Sequence, residues 1–265
     1  TPSAPRETSG VRTSARLREM FSKDKLLLEY SPCFDAAQGN IVVAEGRLTW
    51  RPAAAPSTTP REFFRTLDDA QENDQLSEWV VNTACGDLLR LRAASPTIRR
   101  VSVHVSAQQL LARGFVRTVL QGLEETGVTP SCLELSLTDE AVTRRPDQAL
   151  LVMRELKKHG VRLSMVEFGA SCSSLFHLSL VPLDTIKVHP RFVRELSSNT
   201  HYQFVLAGIV AMAKEMGVAV HAGGIETSVQ YDFLTSTGCD LIQGPMVDER
   251  MSCGLWAQPT GTLCA

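Results

Sequence analysis

The sequence predicts an α/β fold, a closed (β/α)8 barrel with one antiparallel strand, and three observations carry that expectation. Four times a helical pattern ends in glycine and a β-rich run follows: LEETG (123–127) before Cys132–Leu137, LKKHG (156–160) before Val161–Val166, AKEMG (213–217) before Val218–Ala222, and LTSTG (234–238) before Cys239–Ile242. Glycine suits the left-handed position just past a helix end, so each unit is a helix turning back into a strand. Eight strand candidates can be marked, and strands alternating with helices require a parallel sheet with helical crossovers, which eight units close into a barrel. A doubly wound open sheet is the structural alternative.

In chain order, Leu26–Phe34 and Ile41–Trp50 come first, separated by the short turn QGN at 38–40. No helix fits between them, so they form a hairpin and one of the two runs antiparallel to the rest. Val101–Ser106 follows, then a helix with Val116, Val119, Leu120 and Leu123 at helical spacing, then Leu133–Thr138. Ala149, Val152, Met153 and Leu156 mark the helix before Leu163–Phe168 and Thr185–His189; Val205, Ile209, Met212 and Met216 mark the one before Ala219–Gly223 and Leu241–Gly244. Each helix is expected to bury one apolar stripe against the sheet.

Hydrophobic residues at 43% and charged residues at 21% place the chain among folded domains. Lys plus Arg number 27 against 29 Asp plus Glu, a net charge of -2, so no global field gathers duplex nucleic acid or anionic membrane. No run approaches the roughly 18 apolar residues of a membrane helix, and a cytoplasmic protein is expected. The seven cysteines are odd in number and never in C-x-x-C spacing, which fits reduced, structural thiols. Residues 1–15, rich in Thr, Pro, Ser and Arg and lacking an initial Met, read as a linker in a piece of a longer protein.

In a barrel, function sits where strands end and the following loops begin. Those ends are Glu45, His104, Ser136, Glu167, Lys187 with His189, Gly223 and Gln243. Several polar groups therefore face one mouth.

The motifs around these ends are YSP (30–32), AEGRLTW (44–50), SVHVSAQQL (102–110), LELSLTDEAV (133–142), VEFGASCSSL (166–175), DTIKVH (184–189), HAGGIET (221–227) and CDLIQG (239–244). Together they resemble the EAL domain of cyclic-di-GMP signalling, in order and over residues 16–257, with 258–265 as a tail. The resemblance implies a modified TIM barrel. It also implies, for active members, hydrolysis of the cyclic dinucleotide to linear pGpG with two Mg²⁺ or Mn²⁺ ions held by carboxylates and an amide.

Against that pattern the acids are depleted. Glu45 matches the motif's glutamate, but its Ala and Leu are Gly46 and Arg47. The expected asparagine is His104, a glutamate is Ser136, the paired aspartates are Val166 and Glu167, the aspartate after Lys187 is His189, and another glutamate is Gly223. Gln243 and Glu226 remain, with Asp139 nearby. Loss of one electrostatic group typically costs on the order of a hundredfold in rate, so the resemblance, corrected for these losses, implies a degenerate, non-catalytic domain of the FimX and LapD kind. No catalytic residue, metal or cofactor is expected.

The function expected is a regulatory protein-interaction module, with Leu175 and Phe176 as interface residues toward a homodimer partner or a PilZ-type adaptor. The alternative is a non-hydrolysing cyclic-di-GMP receptor using Glu45, Arg47, Lys187 and Gln243. Binding should be weak or absent, since Ser31, Arg47 and Thr49 stand where binders carry a glutamine, a leucine and an arginine. Two local pairings are expected: Lys187 with Glu167, and Glu45 with Arg47 or a lysine. A minor reading joins His104 and His189 with Glu45 or Glu167 around zinc.

Overall fold

The computed structural model describes residues 26–50, 70–170 and 180–250. The linker at 1–15, the tail at 258–265 and the interface residues Leu175 and Phe176 lie outside the described residues.

Eight strands close into a barrel in chain order. Strands β1 (Leu26–Asp35) and β2 (Ile41–Trp50) form the antiparallel hairpin. They are followed by β3 (Arg100–Val105), β4 (Leu133–Leu137), β5 (Arg162–Phe168), β6 (Thr185–Val188), β7 (Ala219–Ala222) and β8 (Leu241–Ile242). From β2 to β8 every neighbouring pair is parallel. β1 is antiparallel to both its neighbours, and it closes the barrel through Phe34 opposite Ile242 and Asp35 opposite Leu241. The expected fold is the one observed.

The helices are α1 (Ala70–Ala94), α2 (Ala107–Leu110), α3 (Phe115–Thr126), α4 (Asp139–Thr143), α5 (Pro146–Lys158), α6 (Pro190–Arg194), α7 (Thr200–Glu215), α8 (Ser228–Thr237) and α9 (Pro245–Arg250). Glycines 127 and 238 end α3 and α8 in the left-handed conformation that the sequence pattern called for. The 25-residue α1 carries no such signal and packs on α3 and β3. At Gly122 of α3 the two helices approach so closely that a Cβ would stand 2.7 Å from Val81 Cγ1.

α7 corrects one expectation. Its buried face is Leu206, Val210 and Ala213, whereas Val205 and Met216 are 49% and 41% exposed. The segment FVLAGIVAMA is apolar nearly all round, so more than one face keeps helical spacing and periodicity alone does not select between them.

Along β4, Leu133, Leu135 and Leu137 join the apolar layer beneath the helices, while the alternate residues Glu134 and Ser136 bond to groups from other strands inside the barrel. This period of two sets which residues reach the site.

Candidate functional site

The interior of the barrel is organised around Lys187 of β6, only 7% exposed. Its Nζ donates to Glu45 Oε1 at 2.6 Å, Ser102 Oγ at 2.9 Å and Ser136 Oγ at 2.9 Å, which uses all three ammonium protons. Glu134 Oε1 lies 3.6 Å away. Glu134 is itself held by Arg100 Nε at 2.9 Å, Ser102 Oγ at 3.1 Å and Thr185 Oγ1 at 3.3 Å. A run of hydroxyls, Ser102 to Ser136 to Ser164 at 2.9 Å each, joins β3, β4 and β5. Ion pairs buried this deeply offset their desolvation only when further hydrogen bonds meet the charged groups, and here Ser102, Ser136 and Arg100 supply them.

Protonation follows from this packing. Burial alone would disfavour the Glu45 carboxylate, but the Lys187 ammonium outweighs it and holds the group down at about 2. Burial likewise works against the Lys187 charge, and Glu45 and Glu134 reverse that, so its pKa is raised. Burial pushes His221 of β7 down to about 4, so it is neutral near pH 7; its Nε2 has no hydrogen-bond partner. Burial, reinforced by Lys187, also lowers His104.

Above Lys187 opens a cavity of about 480 Å³ whose lining includes Ser31, Glu45, His104, Val166 and Gln243. The place of a Cβ on Gly223 would be 3.6 Å from Gln243 Oε1, so the missing side chain of position 223 belongs to this same mouth. The sequence-derived set thus divides. Glu45, Ser136 and Lys187 meet directly, and His104, Val166, Gly223 and Gln243 surround the cavity above them.

The others do not join. Lys187 pairs with Glu45 instead of Glu167, which is exposed at a register irregularity in β5 and adopts a left-handed φ of 55°. The irregularity leaves Glu167 in solvent, although its charge still acts on His104 in the cavity wall. Of the two partners expected for Glu45, the lysine is the one observed, as Lys187, and not Arg47: that guanidinium, 68% exposed at the cavity rim, reaches Glu29 at 3.3 Å. As neighbours on one strand, Glu45 and Arg47 share a face, but Arg47 lies at the open edge, where its long side chain turns to solvent. His189 caps α6, its Nδ1 accepting from the Arg191 N–H at 3.2 Å. Among the described residues, neither His104 nor His189 belongs to a group of three metal-ligating side chains, which removes the zinc reading built on them. Glu226 is exposed beyond β7.

Sequence reasoning missed Arg100, Ser102, Glu134, Ser164, Cys33 and His221. A signal for five of them was present: Ser102, Glu134, Ser164 and His221 each sit two residues before an assigned position (104, 136, 166, 223), and Cys33 sits two after Ser31. Residues two apart on a strand face the same side. Cys33, Glu45 and His221 each place a potential ligand atom within 4.8 Å of the other two.

A dinuclear hard-cation centre does not fit these residues. Glu45 is bonded to an ammonium, Ser136 is an acceptor for the same group, Val166 offers no donor, and Glu167 is exposed and makes no ion pair with Lys187. Two divalent ions need a cluster of carboxylate and carbonyl oxygens, and the described side chains lining the cavity supply carboxylates only from Glu45, already paired with Lys187, and Asp248, with an amide oxygen from Gln243.

Comparison with known proteins yields three findings. The family model described as "EAL domain" matches residues 14–249. The chain is 32% identical over 239 residues to the cyclic di-GMP phosphodiesterase NbdA of Pseudomonas aeruginosa, covering 90% of this chain and 30% of that protein. It is 28% identical over 235 residues to the bifunctional diguanylate cyclase/cyclic di-GMP phosphodiesterase MucR of the same organism, covering 89% and 34%. The chain thus spans about a third of the length of these relatives. Among solved structures, the PaMucR phosphodiesterase in complex with c-di-GMP superposes with a TM-score of 0.79 at 29% identity, over 89% of this chain and 96% of that one.

Proposed function

Because the chain belongs to the EAL-domain family of cyclic-di-GMP signalling, we propose that it is a catalytically silent member of that family, acting as a regulatory protein-interaction module. The observation that carries this reading is the 2.6 Å contact between Lys187 Nζ and Glu45 Oε1. The relatives named above are phosphodiesterases by name, so family membership alone would argue for activity. The charge at the mouth argues against it. A pair of divalent ions beside Glu45 must compete with an ammonium already bonded there, and no clustered acids at 136, 166 or 223 offset the repulsion between the two ions.

Incubation of the purified protein with cyclic-di-GMP and Mg²⁺ or Mn²⁺, with the linear dinucleotide followed by chromatography, tests this. No turnover above the enzyme-free control is expected; metal-dependent hydrolysis would refute the proposal.

A second reading, a non-hydrolysing receptor, is favoured by the retained cavity with Gln243 and His104 on its walls. Calorimetric titration with cyclic-di-GMP in the presence of EDTA distinguishes the two. Saturable heat supports the receptor; none leaves the interaction module, with a second copy of the chain or an adaptor of the PilZ type as partner.

A further inference from the structure

We propose that Cys33, Glu45 and His221 form a mononuclear binding site for a borderline-soft divalent cation of the zinc class. The proposal stands whether or not the domain binds or cleaves a dinucleotide.

The three donors come from β1, β2 and β7, around the seam where the barrel closes. One potential ligand atom of each lies within 4.8 Å of the others. Ligand atoms of a tetrahedral zinc centre stand roughly 3.3–3.6 Å apart, given bonds of about 2.0–2.3 Å, so side-chain shifts of about an ångström bring the three atoms to that spacing. Cys33 and His221 are 1% and 4% exposed. Buried imidazole nitrogens are ordinarily satisfied, and His221 Nε2 is a buried nitrogen without a protein partner.

The donor chemistry selects the ion. A thiolate with an imidazole favours zinc, cobalt or copper over magnesium or manganese, which prefer all-oxygen shells. Thiolate and carboxylate together supply two negative charges, matching one divalent ion but not two. Lys187 bonds Oε1 of Glu45 and shares its charge with Glu134, so a carboxylate oxygen of Glu45 can turn to the ion in exchange for its hydrogen bond with Gln243. The cavity supplies the entry path through Glu45, which is in its lining and 30% exposed and stands within 4.8 Å of the buried Cys33 and His221 donor atoms. With three protein donors, the fourth position falls to solvent from that cavity.

Titrating the metal-free full chain with Co²⁺ tests the site. One equivalent should produce a thiolate-to-cobalt charge-transfer band in the near ultraviolet, and Zn²⁺ should abolish it by displacement. Cys33→Ser should remove the band, His221→Asn should weaken binding by roughly tenfold or more, and Cys85→Ser should leave both unchanged. No band, or a band that survives Cys33→Ser, overturns the proposal. Should Cys33→Ser fail to fold by circular dichroism, X-ray absorption of the zinc-loaded wild-type chain decides. One sulfur with nitrogen and oxygen ligands is expected, and a shell without sulfur, or with several sulfurs, refutes the site.

Discussion

The Cβ that Gly46 lacks would stand 2.9 Å from Cε1 of the Tyr30 ring. Tyr30 is 9% exposed, and its hydroxyl donates to Asp87 Oδ2 at 3.0 Å, so the ring is anchored at both ends of its reach. Where the family motif has alanine, this chain has room only for glycine. Gly46→Ala should destabilise by about 1–3 kcal/mol through overpacking. Combining it with Tyr30→Leu should cost less than the sum of the two single changes, as urea denaturation of all three variants would measure.

Lys187→Met would leave the carboxylates of Glu45 and Glu134 facing each other without their shared cation. Removing one partner of a buried pair costs about 3–5 kcal/mol, and that loss is expected here. Glu45→Gln added to Lys187→Met should recover part of it, because one uncompensated charge is then gone. The same urea series checks the sign of the coupling.

Alkaline pH should unfold the chain through its buried thiols. Burial, with Asp240 adding to it, pushes Cys239 up to about 12 from 9.0, and burial pushes Cys85 up to about 11. Below pH 9 these thiols are protonated in both states and stability is unaffected. Above 9 the unfolded chain gains thiolate while the folded chain does not, so the folded state binds more protons and stability falls as pH rises. For Cys239 the loss approaches on the order of 4 kcal/mol at pH 12. Cys239→Ala should flatten the slope of stability against pH between 9 and 12, a result readable by thermal melts.

Glu167 is the one described non-glycine residue with positive φ, at 55°. A left-handed conformation costs an L-residue with a Cβ roughly 1–2 kcal/mol. Glu167→Gly should therefore raise stability by about 1 kcal/mol, less the added chain entropy of glycine in the unfolded state. Since Glu167 makes no ion pair with Lys187, the Lys187 network should be undisturbed, and an unchanged melting response to Lys187→Met would check it.

Most of the scaffold was legible in the sequence because its signals are local. The glycine stops, the turn at 38–40 and the runs of β-branched residues each act within a few positions, and all eight strands were placed to within a few residues. The site was legible only at the strand ends. What pairs with Lys187 depends on curvature: Glu45 is 142 residues away in sequence and meets it across the barrel interior, while Glu167, twenty residues away, lies exposed at the irregularity in β5. His221 and Cys33 share a strand face with positions 223 and 31, but that spacing names no partner; only the closed ring brings them to Glu45.

The closing seam has a consequence for how such a chain is made and cut. Phe34 and Asp35 meet Ile242 and Leu241 over two short rungs, so the first described strand waits for the last before it has both neighbours. Non-local pairing of this kind is slow to form, and until it does both flanks offer bare backbone to any passing strand. A product truncated ahead of Leu241 would keep seven strands and two permanent open edges, and filaments or soluble oligomers, seen by light scattering, would be its fate.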